Sequence, residues 1–333
     1  RSWLTYGLRS RRWDGPARWM AAVPYHAWNI GRLLRNTRRH KTQMIHSNCI
    51  HLIEGGIMGK LLGLPHVWHV RELLNQDHYQ YHINKNTITR VVNQLATLVL
   101  CNSKQTAKGL RELGVDENKL RVLYNIVEPP KSDEAKDLHQ YLELDSQTQL
   151  VGIVGWLTPL KKIHQFIEMA SKLADLGDTT RFLIIGPEVN NSEYTASLKK
   201  MIAENPNSEN IMLTGTIKQA AKYLGSLDVL VSLCEIESFG RTVAEAIAAG
   251  TPAIGIKGSA VEEIITHGET GYLVEPNDMA SLVNHVKRLL TEEAITKNTT
   301  HSGPLMITKK FGRDVIGAQL KDLYSEAIEI HKN

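Results

Sequence analysis

Short apolar runs of strand character alternate with helix-patterned segments along nearly the whole chain, in two series parted by a polar stretch. This alternation is the strongest constraint on the fold. The first series opens with "HAWNIGRLLRNTRRHK" (26–41), whose spacing predicts an amphipathic helix with Trp28, Leu33 and Leu34 on its apolar side. A strand follows in "TQMIHSN". The run "EGGIMGKLLG" then reads as a helix stopped by Gly63, and Pro65 opens the strand "HVWHV". "TRVVNQLATLVLCNS" gives a helix and a strand, Ser103 is placed to cap a helix ending at Gly114, and "KLRVLYNIV" is the next strand. The second series runs through "QLVGIVGWL", "RFLIIGP", "NIMLTG", "LDVLVSL", "TPAIGI" and "GYLVEP", and a helix, "RDVIGAQLKDLYSEAIEIHK", closes the chain. Strands separated by helices must cross over and pair in parallel, with helices covering both faces.

A chain of 333 residues is long for one core. The expected organisation is a Rossmann-like domain over 1–130, a connection over 131–148, and a second Rossmann-like domain over 149–310. A terminal helix over 311–333 completes it. Open sheets of this kind bind ligands beyond the carboxyl ends of their strands, and for a tandem pair that expectation is a cleft between the domains.

Composition narrows the function classes. No apolar run is long enough to span a bilayer, and the start has no signal-like core. Cys49, Cys101 and Cys234 are odd in number and lack CxxC spacing, so neither a disulfide framework nor a zinc site is expected. A cytoplasmic protein is expected. Net charge is +4, yet residues 1–41 hold ten Lys or Arg against one acid, Asp14, which leaves the remainder at −5. Trp3, Trp13, Trp19 and Trp28 fall in the same stretch. Two readings stand: a solvated basic segment with core aromatics, or peripheral attachment to an anionic membrane surface. Charge confined to one end, with no nucleic-acid module after it, argues against nucleic acid. "GGIMGKL" fails as a phosphate loop because Leu61 follows Lys60, no GxGxxG follows a strand, and the histidines lack zincin spacing.

The chemistry concentrates in "ESFGRTVAEAIAAGTP" (237–252). An apolar strand ends in polar residues at Glu237, and a helix begins near Gly240. The first amides of such a helix have no partners within it and favour an anion, so the backbone at Phe239, Gly240 and Arg241 suits a phosphate. Glu237 at the strand tip and Glu245 inside the helix would repel that phosphate, but they suit hydroxyl donors of a sugar. A diphosphate between two polyhydroxylated rings, a nucleotide sugar, meets both demands. The other reading makes Glu237 a helix-start cap and Glu245 a solvated helix residue.

With "EAIAAGTPAI" after it, this stretch resembles the E-x7-E motif of retaining nucleotide-sugar glycosyltransferases of family 4, which have the GT-B fold. "GWLTPLKKIHQFIEM", "LTGTI", "EEIITHGETGYLVEP", "LCNSKQTAKGLRELG" and "LYNIVEPP" extend the resemblance over most of the chain. The resemblance implies two doubly wound domains facing a cleft and hexose transfer from a UDP- or GDP-sugar to an acceptor; the expected acceptor is a glycan or, from the basic, Trp-rich start, a lipid-linked one. It implies no metal and no cofactor beyond the donor. Glu237 would contact the donor sugar, Glu245 the ribose, and Lys161 the diphosphate, with Gly155 beside it. The turn at Gly215, Thr216 and Ile217 would hold the base.

The sequence departs from the pattern in four places. Trp156 stands where the family has an Arg, and Lys162 stands where a Gly is usual and could restore that charge. Arg71 occupies the position of a family His, with His69 two residues earlier on the same strand face; His69 suits the core as well as a catalytic site. No glycine-rich strand–loop unit precedes residue 26, so the N-terminal sheet is expected to lack its first strand–helix unit. A catalytically inactive GT-B scaffold that binds a partner and a sugar-nucleotide epimerase are the alternatives.

Overall fold

The computed structural model describes residues 15–74, 84–131, 133–189 and 192–332. The chain divides into two compact units, 1–124 with 316–333, and 125–315.

In the first unit, α1 (Gly15–Arg39) leads to β1 (Ile45–Ser47), α2 (Ile53–Leu62), β2 (His66–Val70), α3 (Lys85–Leu95), β3 (Leu98–Cys101), α4 (Lys104–Glu112) and β4 (Leu120–Val122). The strands pair in parallel in the order β1-β2-β3-β4. Local chemistry sets the boundaries. Gly63 ends α2 in the left-handed conformation, and the Ser103 hydroxyl accepts from the Thr106 N–H at 2.9 Å to cap α4. Ile88 and Val92, one turn apart on α3, are buried with Trp68, Val70 and Val99 on one face of the sheet. Every residue of β2 is buried, which is why this strand reads as a continuous run rather than an alternating one.

In the second unit, α5 (Leu138–Leu142) precedes β5 (Gln149–Val154), α6 (Ile163–Lys172), β6 (Thr180–Ile185), α7 (Glu193–Ala203), β7 (Ile211–Gly215) and β8 (Val229–Ser232). Then come α8 (Arg241–Ala248), β9 (Ala253–Ile256), β10 (Gly271–Val274), α9 (Met279–Thr291) and α10 (Glu293–Phe311). All six strands are parallel, in the order β10-β9-β8-β5-β6-β7. Numbered from β5, this is the doubly wound order 3-2-1-4-5-6, and β5 and β8 flank the point where the winding reverses. Phe166 of α6 meets Phe182 of β6 edge-on within a core that also takes Ile153, Val231 and Leu282.

The terminal helix, α11 (Arg313–Lys332), packs onto the first unit's sheet: Ile316 and Ala327 are buried with Val67, Leu98, Leu100 and Leu123. Arg121 Nε donates to Glu326 Oε1 at 3.1 Å, fastening β4 to this helix.

Candidate active site

The winding reversal between β5 and β8 collects the charged residues of the second unit. After β5 the chain passes Gly155 and Trp156 and makes a short 3-10 turn over Pro159–Lys161. After β8 it passes Cys234, Glu235 and Glu237 to the start of α8. Two crossovers that leave neighbouring strand ends therefore bring together residues 76 apart in sequence: Lys161 Nζ donates to Glu237 Oε2 at 2.7 Å. Burial disfavours the Lys161 ammonium, but the Glu237 carboxylate, the Cys234 sulfur and the hydrogen bond together outweigh it, raising the pKa above the usual lysine value. Cys234 is buried, which pushes its thiol up despite the nearby Lys161.

Lys162, next in the chain, lies in the left-handed region at φ 51° and pairs with Glu235. It also donates to Asn277 Oδ1 at 3.2 Å, and Gln165 Nε2 donates to the same oxygen at 2.8 Å. Glu235, Asn277 and Gln165 were not legible as site residues. The only hint was that Glu235 and Glu237 share the polar end of one apolar strand. Trp156 is 61% exposed and brings no charge to the position it occupies.

Backbone geometry fixes the rest of the site. Gly240 adopts φ 87°, ψ 47°, and a Cβ there would fall 2.6 Å from Val261 Cγ1, so the turn into α8 demands glycine. Having no side chain, Gly240 starts α8 without a side-chain cap. Phe239 beside it is buried, its ring edge-on to Phe311 at 5.5 Å, which anchors the turn. One turn into α8, Arg241 Nε donates to Glu245 Oε1 at 2.7 Å. Gly155, Gly186 and Gly215 close β5, β6 and β7 in a row, with Gly155 N–H donating to Ile185 O and Gly186 N–H to Gly215 O. A Cβ on Gly186 would sit 1.9 Å from Gly155 O, so the strand tips approach as closely as backbone allows. Thr216 is exposed after this row, and Ile217 is buried.

The structure thus brings Glu237, Lys161, Lys162, Gly155, Trp156, Phe239, Gly240, Arg241 and Glu245 to the ends of β5 and β8, with Gly215, Thr216 and Ile217 at the end of β7 on the same sheet. His69 and Arg71 lie in the first unit. His69 is buried, its ring centroid 5.7 Å from that of His46, and among the described residues its Nε2 has no hydrogen-bond partner. Burial, then the Arg71 and His46 charges, lower its pKa to about 3. His46 Nδ1 is 2.6 Å from the Tyr324 hydroxyl. The Arg71 guanidinium donates to Asn48 Oδ1 at 3.0 Å. Among the described residues, three metal-type donors gather only in this unit, at Cys49, His51 and Glu72.

Of the basic, Trp-rich start, Trp3 and Trp13 lie outside the described residues, as does the side chain of Trp19. Along α1, Trp28 and Leu33 are exposed, and the Arg32 guanidinium lies over the Trp28 ring at 5.7 Å. No described helix is long and apolar enough to cross a membrane.

Two parallel-sheet α/β units, the second doubly wound with paired cations and carboxylates at its winding reversal, are the class of GT-B proteins. Solved structures bear this out for the fold. Anabaena HepE in complex with UDP superposes with a TM-score of 0.78 at 21% identity, covering 89% of this chain and 82% of that one. Sucrose-phosphate synthase from Thermosynechococcus elongatus does so with 0.71 at 20% identity, covering 89% and 76%. Residues 134–304 match the family described as glycosyl transferases group 1, and residues 6–130 match that described as glycosyltransferase family 4. The chain belongs to the group 1 glycosyl transferases, with a family 4 N-terminal portion.

Among curated relatives, the capsular polysaccharide biosynthesis glycosyltransferase CapM of Staphylococcus aureus is 24% identical over 193 residues, 58% of this chain and 50% of that one. The N-acetyl-alpha-D-glucosaminyl L-malate synthase of Bacillus anthracis is 23% identical over 252 residues, 74% and 64%. The matched stretch thus spans half to just under two thirds of these relatives' lengths.

Proposed function

We propose that this chain is a glycosyltransferase that takes a hexose from a UDP-sugar and passes it, with retention of configuration, to a glycan or lipid-linked acceptor. The observation that carries this reading is the Lys161–Glu237 pair at the winding reversal of a domain that matches the family. A nucleotide sugar laid across the strand ends from β7 to β8 crosses three strand spacings, roughly 14 Å. Its base meets the turn after Gly215, its diphosphate meets Lys161, Lys162 and the amino end of α8, and its sugar meets Glu237. Glu245 takes ribose hydroxyls once Arg241 swings aside. HepE structures with UDP and with UDP-glucose support uracil over guanine for the base.

Catalysis then follows from charge placement. As the bond to the anomeric carbon breaks, negative charge grows on the leaving diphosphate. Lysines already held in place stabilise it without reorganisation, and this donor site calls for no metal. Glu237 trades its lysine partner for a sugar hydroxyl and orients the reacting ring. The name of the capsular polysaccharide relative supports a glycan acceptor. Exposed Trp28 and Leu33, with Arg32, Arg35, Arg38 and Arg39 on α1, support contact with an anionic membrane surface. Flotation with anionic liposomes at low salt tests that contact, and absence of binding rejects it.

The donor assignment is tested by thermal shift with UDP, GDP, ADP and their sugars, on the parent chain and Glu245→Ala. Ligand that binds only the folded chain raises Tm by mass action. A shift with UDP, diminished in the variant, is expected. No shift with any nucleotide from a folded protein would overturn the reading.

A further inference from the structure

In the first unit, Cys49, His51 and Glu72 converge just beyond the carboxyl ends of β1 and β2, and the donor reading uses none of them. Cys49 and His51 sit on the loop between β1 and α2, and Glu72 follows β2 by two residues. One donor atom from each lies within 4.8 Å of the others, and all three side chains are half-buried. We propose that they form a binding site for a divalent cation of borderline softness, zinc or cobalt in type.

Three features carry the assignment. The donor set comes first: a thiol, an imidazole and one carboxylate select zinc-like ions over magnesium or calcium, which take oxygen. Geometry comes second. Metal–ligand distances of about 2.0–2.3 Å in a tetrahedron put neighbouring donors roughly 3.2–3.6 Å apart. Cys49 Sγ already donates to Glu72 Oε1 at 3.4 Å, its proton lying where a cation would sit. The remaining approach is about 1 Å, within reach of side-chain rotation.

Support from the surroundings is third. The buried Trp68 indole donates to Cys49 O at 2.9 Å, and Leu52 N–H donates to the same oxygen at 3.1 Å, which pins the loop. Glu72 Oε2 accepts from the Arg71 N–H at 3.1 Å, leaving Oε1 directed at the thiol. Such outer contacts are what orient metal ligands. Charge closes as well: thiolate and carboxylate together neutralise a dication, beside an Arg71 guanidinium that acts on the thiol and donates to Asn48 Oδ1. Three protein donors leave a fourth position for water or a ligand oxygen. A Cys-x-His pair completed by a Glu 21 residues on has no CxxC spacing, so it escapes a search of the sequence for zinc motifs.

The test is cobalt titration of the full chain after chelator treatment, followed by visible and near-ultraviolet absorption. One cobalt per chain is expected, with tetrahedral-type d–d bands and a thiolate charge-transfer band, both removed by zinc. Cys49→Ser should abolish the charge-transfer band, and His51→Gln and Glu72→Gln should each weaken binding by at least about 10-fold. Circular dichroism melts confirm that each variant is folded. Cys101 and Cys234 are buried and should give no band of their own. No stoichiometric binding by the folded parent, or a thiolate band that survives Cys49→Ser, would overturn the proposal. Neither result bears on the UDP shift, so the two readings fail separately.

Discussion

The two units handle ionisable side chains in opposite ways. At the winding reversal of the second, charges are kept and paired: Lys161 with Glu237, Lys162 with Glu235, Arg241 with Glu245. Along β1 and β2 of the first, imidazoles are buried and held neutral. His66 is tied to Leu95 O and Ser47 Oγ, each at 2.9 Å, and burial lowers its pKa to about 4; His69 is taken to about 3. Paired, half-exposed charges can be exchanged for a ligand's charges at small cost, because each leaves one partner for another. Buried neutral imidazoles cannot be exchanged in this way. They make the first unit sensitive to protons instead.

The largest expected effect sharpens that contrast. Between about pH 4 and 6.5 the unfolded chain binds protons at His66 and His69 that the folded chain refuses. Stability therefore rises with pH across this window and is fully present only above it. Falling from pH 7 to pH 5 should cost about 4 kcal/mol, roughly 2 from each imidazole. The groups facing His69 are His46 and Arg71, and His46, lowered by burial and by Arg71, adds to the loss. Urea midpoints at the two pH values measure it. Replacing both histidines with glutamine lowers stability at every pH but should flatten the dependence. An unchanged slope would break the comparison.

Next in size is Glu237→Gln. Turnover should fall by about 100- to 1,000-fold, the scale of losing one preorganised polar contact at a reacting centre. UDP affinity should move by only a few-fold, since the proposed contact is to the sugar. Steady-state kinetics beside UDP titration separates the two. Equal losses in both would mean that the ion pair serves nucleotide binding alone.

Much of this was legible beforehand, for local reasons. "HVWHV" is β2 residue for residue, and the Ser103 cap and Gly63 stop are written in residue type. Lys161 and Glu237 were named from the motif and its resemblance, and the structure sets the two in hydrogen-bond contact. What the sequence hid depends on contacts distant along the chain. The run 293–311 holds four threonines, Gly303 and Pro304, a poor helix former by propensity, yet it forms α10. Thr300 Oγ1 donates to Gly250 O at 3.1 Å and Thr299 Oγ1 to Glu269 O at 2.9 Å, and packing outweighs propensity. The return of α11 to the first unit's sheet is hidden likewise, because its apolar stripe does not name the surface it covers.

A smaller effect comes from the turn into α8. Gly240→Ala forces a side chain into the left-handed region and against Val261, for a loss of about 2 kcal/mol in the second unit. The urea midpoint should drop equally at pH 5 and pH 7, because no proton is involved. A pH-dependent loss would show that this unit also carries hidden titrating groups.

The smallest expected change tests whether the paired charges are kept for a ligand or for the fold. Lys162 holds a left-handed conformation that glycine adopts without strain, so Lys162→Gly relieves strain by about 1 kcal/mol. The substitution also removes the partly exposed pair with Glu235, worth up to about 1 kcal/mol, and adds chain entropy to the unfolded state. These terms oppose each other, and stability should stay within about 0.5 kcal/mol. Affinity for UDP has no such compensation: loss of one cation near the diphosphate should weaken it about five-fold, with a gentler dependence on salt. An unchanged stability beside a weakened UDP site assigns the Lys162 charge to the ligand. A destabilised chain with unchanged affinity assigns it to the fold and leaves Lys161 as the sole cation of the diphosphate site.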